Sequence, residues 1–257
     1  MPRPPARAVV ASALSVGALL SVSACSALGL DEAARAVSAP ASSAAGAPKV
    51  PAADPTLTQS QARAALIGEA DLGEPWAATE GFATWRESML KATTESPECG
   101  RLLDSLYTEE LFGPDARTRA SVGLDDAWDG AQLRYQVVAH RPADVDRTLA
   151  WLDGLPDACG RFTATAGGGP MTGWVRGVEL PEVGEARQGL RIVLSAVSEY
   201  DDAPTLTLDV AAVRVGDDAI VVTTGGLGEV PADATRAAVE VGAHRLAEVR
   251  KRGRASI

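Results

Sequence analysis

Apolar positions along the chain form one long run broken by four serines and a glycine, a few helical stripes and a series of alternating runs. The long run covers residues 8–24 and lies near the lower length limit for a membrane span. Residues 26–57 follow with Ala, Ser, Pro and Gly and few large apolar groups. Such a segment cannot bury enough surface to fold and reads as a tether. Its 32 residues would span roughly 30 Å as a coil and up to about 100 Å in polyproline geometry.

Periodic patterning begins at Thr58. Thr58-Gln59-Ser60-Gln61 fits a capping box, with Leu57 and Ala62 placed as an apolar staple. The helix it predicts runs to about 67 or 70, and Gly-Glu-Pro at 73–75 ends it. Residues 76–85 read as a strand of poor alternation. Ser96-Pro97 opens a clearer helix, with Cys99, Leu102, Leu103, Leu106 and Tyr107 on one face. Residues 117–124 and 131–140 alternate as strands joined by a turn over 125–130. In the second, Leu133, Tyr135, Val137 and Ala139 face one way and Gln132, Arg134 and Gln136 the other, which predicts one wet side.

A second helix is expected from 144 to 151 or a little further, with Val145, Thr148, Leu149 and Leu152 buried and Gly154 placed to end it. Strands are expected over 160–166, 173–180, 189–199, 205–215 and 219–224, with a tight turn at Gly216-Asp217-Asp218. A last helix over 232–250, capped by Asp233, buries Val239, Gly242, Leu246 and Val249. Arg245, Arg250, Lys251 and Arg252 gather at its end, where positive charge complements the helix dipole. The pattern predicts a single α+β domain over 58–252, a twisted antiparallel sheet of about six to seven strands with helices packed mainly on one face.

Charge changes the reading of the first run. Arg3 and Arg7 precede it and small residues close it, the order of a secretory signal over 1–24. Val22-Ser23-Ala24-Cys25 resembles a bacterial lipobox, which implies a diacylglyceryl group on the Cys25 thiol and cleavage before it. An uncleaved span and a plain secretory cut after Ala24 are the competing readings. Cysteine arithmetic favours the lipid: three cysteines are an odd number for an exported chain, and assigning Cys25 leaves Cys99 and Cys159 to pair as a structural disulfide. Two acyl chains hold a protein stably at a membrane without a span.

Losing Arg3 and Arg7 leaves 22 basic against 34 acidic residues, a formal charge of −12. That balance argues against nucleic acid and against docking of the domain itself on anionic lipid. No catalytic constellation emerges. There is no Cys-x-x-Cys, no clustered histidine and no nucleophile elbow, so no metal, cofactor or catalytic residue is assigned. His140 and His244 both read as exposed. The acidic stretch 125–130 fails the calcium-loop spacing at Ala127, and the twelfth position is Gln136. Gly167-Gly168-Gly169 and Gly225-Gly226-Leu227-Gly228 match no phosphate fingerprint and read as loops at sheet ends, with Trp174 and Tyr200 nearby in sequence.

The order of pieces resembles the PknH-like extracellular sensor domain. An opening helix, Cys99 in an early helix, Leu155-Pro156-Asp157-Ala158-Cys159 ending a later one, then strands and a final helix carry the likeness over 58–250. The resemblance implies a highly twisted antiparallel sheet and a cleft for an unidentified extracellular ligand. It supplies no catalytic residue, and of two disulfides in the kinase member only Cys99–Cys159 has a counterpart.

The expectation is a lipid-anchored, extracytoplasmic, non-enzymatic protein at the cell membrane that binds or senses a small molecule or wall component. No ligand-binding residue is assigned by sequence. The alternatives are an accessory protein contacting another envelope protein, and a hydrolase working with paired carboxylates.

Overall fold

The computed structural model describes residues 57–81, 83–198 and 203–255. The signal over 1–24, Cys25, the tether up to residue 56 and Tyr200 lie outside the described residues. Leu57, given to the tether by sequence, is buried in the domain.

In chain order the elements are α1 (Gln59–Ala64), α2 (Glu69–Leu72), β1 (Trp76–Ala78), a π-helical turn (Arg86–Leu90), α3 (Pro97–Tyr107), β2 (Arg117–Asp126), β3 (Gln132–Ala139), α4 (Pro142–Ala158), β4 (Phe162–Ala166), β5 (Gly169–Gly177), β6 (Ala186–Ala196), β7 (Thr205–Val215), β8 (Asp218–Leu227) and α5 (Ala232–Ala255). All eight strands form one antiparallel sheet in the order β1-β2-β3-β8-β7-β6-β5-β4. The count exceeds the expected six to seven because short strands make both edges. β1 keeps only three residues of the weakly patterned stretch 76–85; residues 79–81 and 83 are irregular, and 84–85 lead into the π-helical turn.

Helices cover both faces of this sheet, not mainly one. The reason is written in β7, where Leu206, Leu208, Val210 and Ala212 point into one core and Ala211, Val213 and Val215 into the other. A strand apolar on both sides needs cover on both. The π-helical turn, α3 and α4 fill the first core with Leu90, Leu102, Leu103, Leu106, Leu152 and Leu155. On the other side α1 and α5 contribute Ala62, Val239, Leu246 and Val249.

Local signals explain most boundaries. Thr58 caps α1 as a capping box, its Oγ1 accepting from Gln61 N at 3.3 Å while Gln61 Oε1 accepts from Thr58 N at 2.8 Å. The chain then breaks at residues 66–68 before α2, so the single helix expected over 58–70 is two. α4 does not stop at Gly154. It continues through Pro156 to Ala158, because Leu152 and Leu155 on successive turns are both buried in the first core. Cys99 of α3 and Cys159, the residue after α4, are joined by a disulfide with Cα atoms 5.7 Å apart, tying the two helices of one face together.

Candidate ligand-binding face

The two sides of the sheet are not covered to the same extent. On one side α4 packs over β5, β6 and β7. On the other, α5 packs over β7 and β8, with α1 beside it on β2. Among the described elements, no helix lies over β4, β5 and β6 on the α5 side. The 178–183 segment covers the start of β6 and Val193 is buried, while Thr163 and Arg176 are exposed and Thr172, Trp174, Arg191 and Ser195 half-buried, which leaves a partly open face.

Strand register arranges this face in rows. Thr163 pairs with Thr172, Thr172 with Ser195, and Ser195 with Thr205, which sets four hydroxyl side chains across four strands. Ser195 Oγ and Thr205 Oγ1 are 3.1 Å apart. The next row is Trp174, Val193 and Thr207, and the one after it Arg176, Arg191 and Asp209. Trp174 is half-buried, and the guanidinium of exposed Arg176 sits 5.5 Å from its ring centroid.

Arg191 grips Asp209 with two bonds of 2.6 Å, Nε to Oδ1 and Nη2 to Oδ2. A bidentate pair is among the stronger charge-assisted contacts. The Asp209 carboxylate holds the Arg191 pKa above its ordinary value. Asp209 is only 3% exposed, so the pair forms a fixed polar floor. The row ends beneath α5 at Thr224, fully buried, whose hydroxyl accepts from Thr235 at 2.7 Å. β4, β5 and β6 carry Arg176, Arg187 and Arg191 and no carboxylate, in a chain whose formal net charge is −10.

The face lies at the sheet edge away from Leu57. α1 packs on β2, and five strands separate β2 from β4 at the far edge. The face sets hydroxyl donors and acceptors in a row beside a half-buried tryptophan ring and the exposed Arg176.

No family model matches this chain, and no curated protein matches it. Among solved structures, the crystal structure of the extracellular domain of PknH from Mycobacterium tuberculosis is similar over 77% of this chain and 100% of that chain, at 14% identity and a TM-score of 0.46.

Other clusters have structural explanations. Glu109, at φ 60°, lies between Arg86 Nη2 at 3.3 Å and Arg134 Nε at 3.0 Å. Arg86 also donates to the carbonyls of Leu106 and Tyr107 at 3.3 and 2.9 Å, closing the end of α3. The recess beside this trio holds about 10 Å³, room for a water at most. Arg134 and Gln136 therefore face a cluster under α3, where sequence expected a wet strand face, and Gln136 is buried.

The acidic turn is an Asx turn. Asp126 Oδ1 accepts from the amides of Trp128 and Asp129 at 2.8 and 3.1 Å, and Asp125 Oδ1 accepts from Thr79 and Gln132. Among the described residues no group of three metal-ligating side chains converges. His140 is not exposed: its side chain is 10% accessible and its Nε2 lies 3.7 Å from Asp144 Oδ2. Asp144 binds Arg141 and, at 2.7 Å, Arg147. His244 is exposed as expected.

Gly225 and Gly226 are not loop residues but lie inside β8, where a Cβ on Gly225 would strike Leu208 and Trp85. The basic end of α5 is also more than a complement to the helix dipole. Arg250 is buried, donates to Asp218 and reaches Asp217 at 3.1 Å. Arg245 binds Asp71 at 2.5 and 2.8 Å and Leu66 O at 2.6 Å, fastening α2 to α5.

Sequence reasoning passed over the open face because Thr, Ser and Trp at alternate strand positions look like any solvated side. The usable signal was the missing carboxylates in three consecutive strands.

Proposed function

We propose that this chain is a lipid-anchored, extracytoplasmic, non-enzymatic protein whose domain binds an envelope ligand on the open face of β4, β5 and β6. The observation that carries the reading is the half-covered sheet: hydroxyls, a tryptophan and a cation converge where no described helix packs. Two features support the anchoring: the lipobox-like Val22-Ser23-Ala24-Cys25 ends a signal-like run, and the two other cysteines are joined to each other.

The hydrolase alternative needs two carboxylates facing each other across a groove. The strands of this face supply none, and neighbouring Asp209 is held by Arg191. Photo-crosslinking in intact cells tests the binding surface. A photoreactive residue at exposed Thr163 is expected to give discrete adducts, and one at exposed Glu240 on α5 is expected to give none. Adducts from Glu240 alone would contradict the reading. The anchor is tested by intact mass of the membrane-extracted protein, which should carry a fatty-acyl increment that Cys25→Ala lacks.

A further inference from the structure

We infer that the open face takes an anionic polysaccharide, a chain of sugar rings bearing carboxylates; this rests on the reading of that face as the ligand surface. Each hydroxyl in the row Thr163, Thr172, Ser195 and Thr205 both donates and accepts a hydrogen bond. Strands lie about 4.8 Å apart, so the row offers such groups at a regular pitch over roughly 14 Å. A ligand that matches it must itself present groups that donate and accept repeatedly along a line. Sugar hydroxyls do so, whereas apolar side chains leave the row unpaired.

The second row adds a flat surface. Trp174 keeps part of its ring accessible between Arg176 and Val193. A sugar ring laid on it covers apolar carbon while its hydroxyls reach the neighbouring row. The third row sets the charge. Arg191 is satisfied by Asp209 and Arg187 reaches Glu182 at 3.2 Å, while Arg176 is exposed and stands over the tryptophan. Two of the three arginines on these strands are thus neutralised by carboxylates, and Arg176 is the exposed cation left on the described face. Its guanidinium can pair with one sugar carboxylate while the hydroxyl row meets sugar hydroxyls, which a single-stranded nucleic acid offers far less densely.

The test titrates the full, oxidised chain with polygalacturonate, with dextran as an uncharged polyhydroxyl chain and with single-stranded DNA. Binding is read by calorimetry and tryptophan fluorescence, and melting curves check each variant's fold. Polygalacturonate is expected to bind and to quench fluorescence, with dextran and DNA weaker. Arg176→Gln should weaken it roughly tenfold or more, as loss of a charge-assisted bond does. Thr172→Val should weaken it several-fold, and Trp174→Phe should remove most of the quench. Arg63→Gln, at an exposed site on α1, makes the same change in net charge and should leave binding unaltered.

Absence of polygalacturonate binding would overturn the inference, as would equal losses in Arg176→Gln and Arg63→Gln, or DNA binding as tightly. So would a dimer in sedimentation that Trp174→Phe dissolves, since the face would then be covered by a second copy. If Thr163 still crosslinks in cells while polygalacturonate fails, the ligand class is wrong and the surface stands.

Discussion

Gly154 and Gly242 both sit inside helices, yet replacement by alanine should move stability in opposite directions. In α4 a Cβ at Gly154 meets nothing within 4 Å. Only backbone freedom changes there, so Gly154→Ala should stabilise the domain by about 0.8–1 kcal/mol. In α5 a Cβ at Gly242 would lie 2.4 Å from Tyr135 Cε2 and 2.6 Å from its Oη. That ring has no room to yield. Tyr135 is fully buried in the second core, its hydroxyl donates to Ala65 O at 3.2 Å, and burial holds its pKa well above the ordinary phenol value.

Forcing a methyl group against such a ring costs about 1–3 kcal/mol. If the ring tilts, the buried Ala65 carbonyl loses its donor, at a further cost of about 1–3 kcal/mol. Set against a helix-propensity gain of about 1 kcal/mol, the two costs together leave a net loss for Gly242→Ala of about 1–5 kcal/mol. For a domain of this size that lowers Tm by roughly 2–20 °C. Urea denaturation of the oxidised chain, followed by tryptophan fluorescence, measures both variants. In a Tyr135→Leu background the penalty at Gly242 should shrink, because the atoms it strikes are gone. If both alanine variants stabilise equally, the close packing of α5 on β3 is refuted.

Three further outcomes follow from the same contacts. Replacing Cys99 and Cys159 together by alanine should cost about 4 kcal/mol by the chain-entropy account of a loop closed over 60 residues, read as a lower urea midpoint. Arg250→Met should cost about 3–5 kcal/mol, because it leaves the Asp218 carboxylate buried without its cation. Asp71 responds to pH: the Arg245 bond, opposed by burial and aided by the Gly68 amide, holds its carboxyl below the ordinary range. A depressed carboxylate contributes stability above its unfolded pKa and loses it as pH falls through the folded one. The stability gap between the parent and Asp71→Asn should therefore stay constant from neutral pH to about pH 5 and close in stronger acid. A gap that widens on acidification would contradict the pairing.

Much of the domain was legible where one residue type has one use. Thr58 with Gln61, Ser96-Pro97 and the Gly216 turn mark element ends by local chemistry, and the structure places ends there. What tertiary packing decides was hidden. Gly154 and Pro156 look like stops, but the buried leucines on either side carry α4 past them. The second helical layer was missed although β7, with Val210, Ala211, Ala212 and Val213 in succession, shows no wet side. His140 and Arg250 looked solvated because their partners, Asp144 and Asp218, become neighbours only through a helix turn or across the sheet corner. The open face was the least legible feature, since a solvated strand side and a ligand surface use the same residues. Only the folded register shows Thr163, Thr172, Ser195 and Thr205 in line.

Hydroxyl-radical footprinting at two tryptophans tests the account most directly. The full-length protein is oxidised alone and again when bound to envelope fragments of the producing cell, and modification is read residue by residue. Trp128, 74% exposed on the acidic turn, should be modified equally in both. Trp174 should be protected in the bound sample only. Equal modification of Trp174 with and without envelope material, under conditions where the protein sediments with the fragments, would contradict the claim that this face holds the ligand.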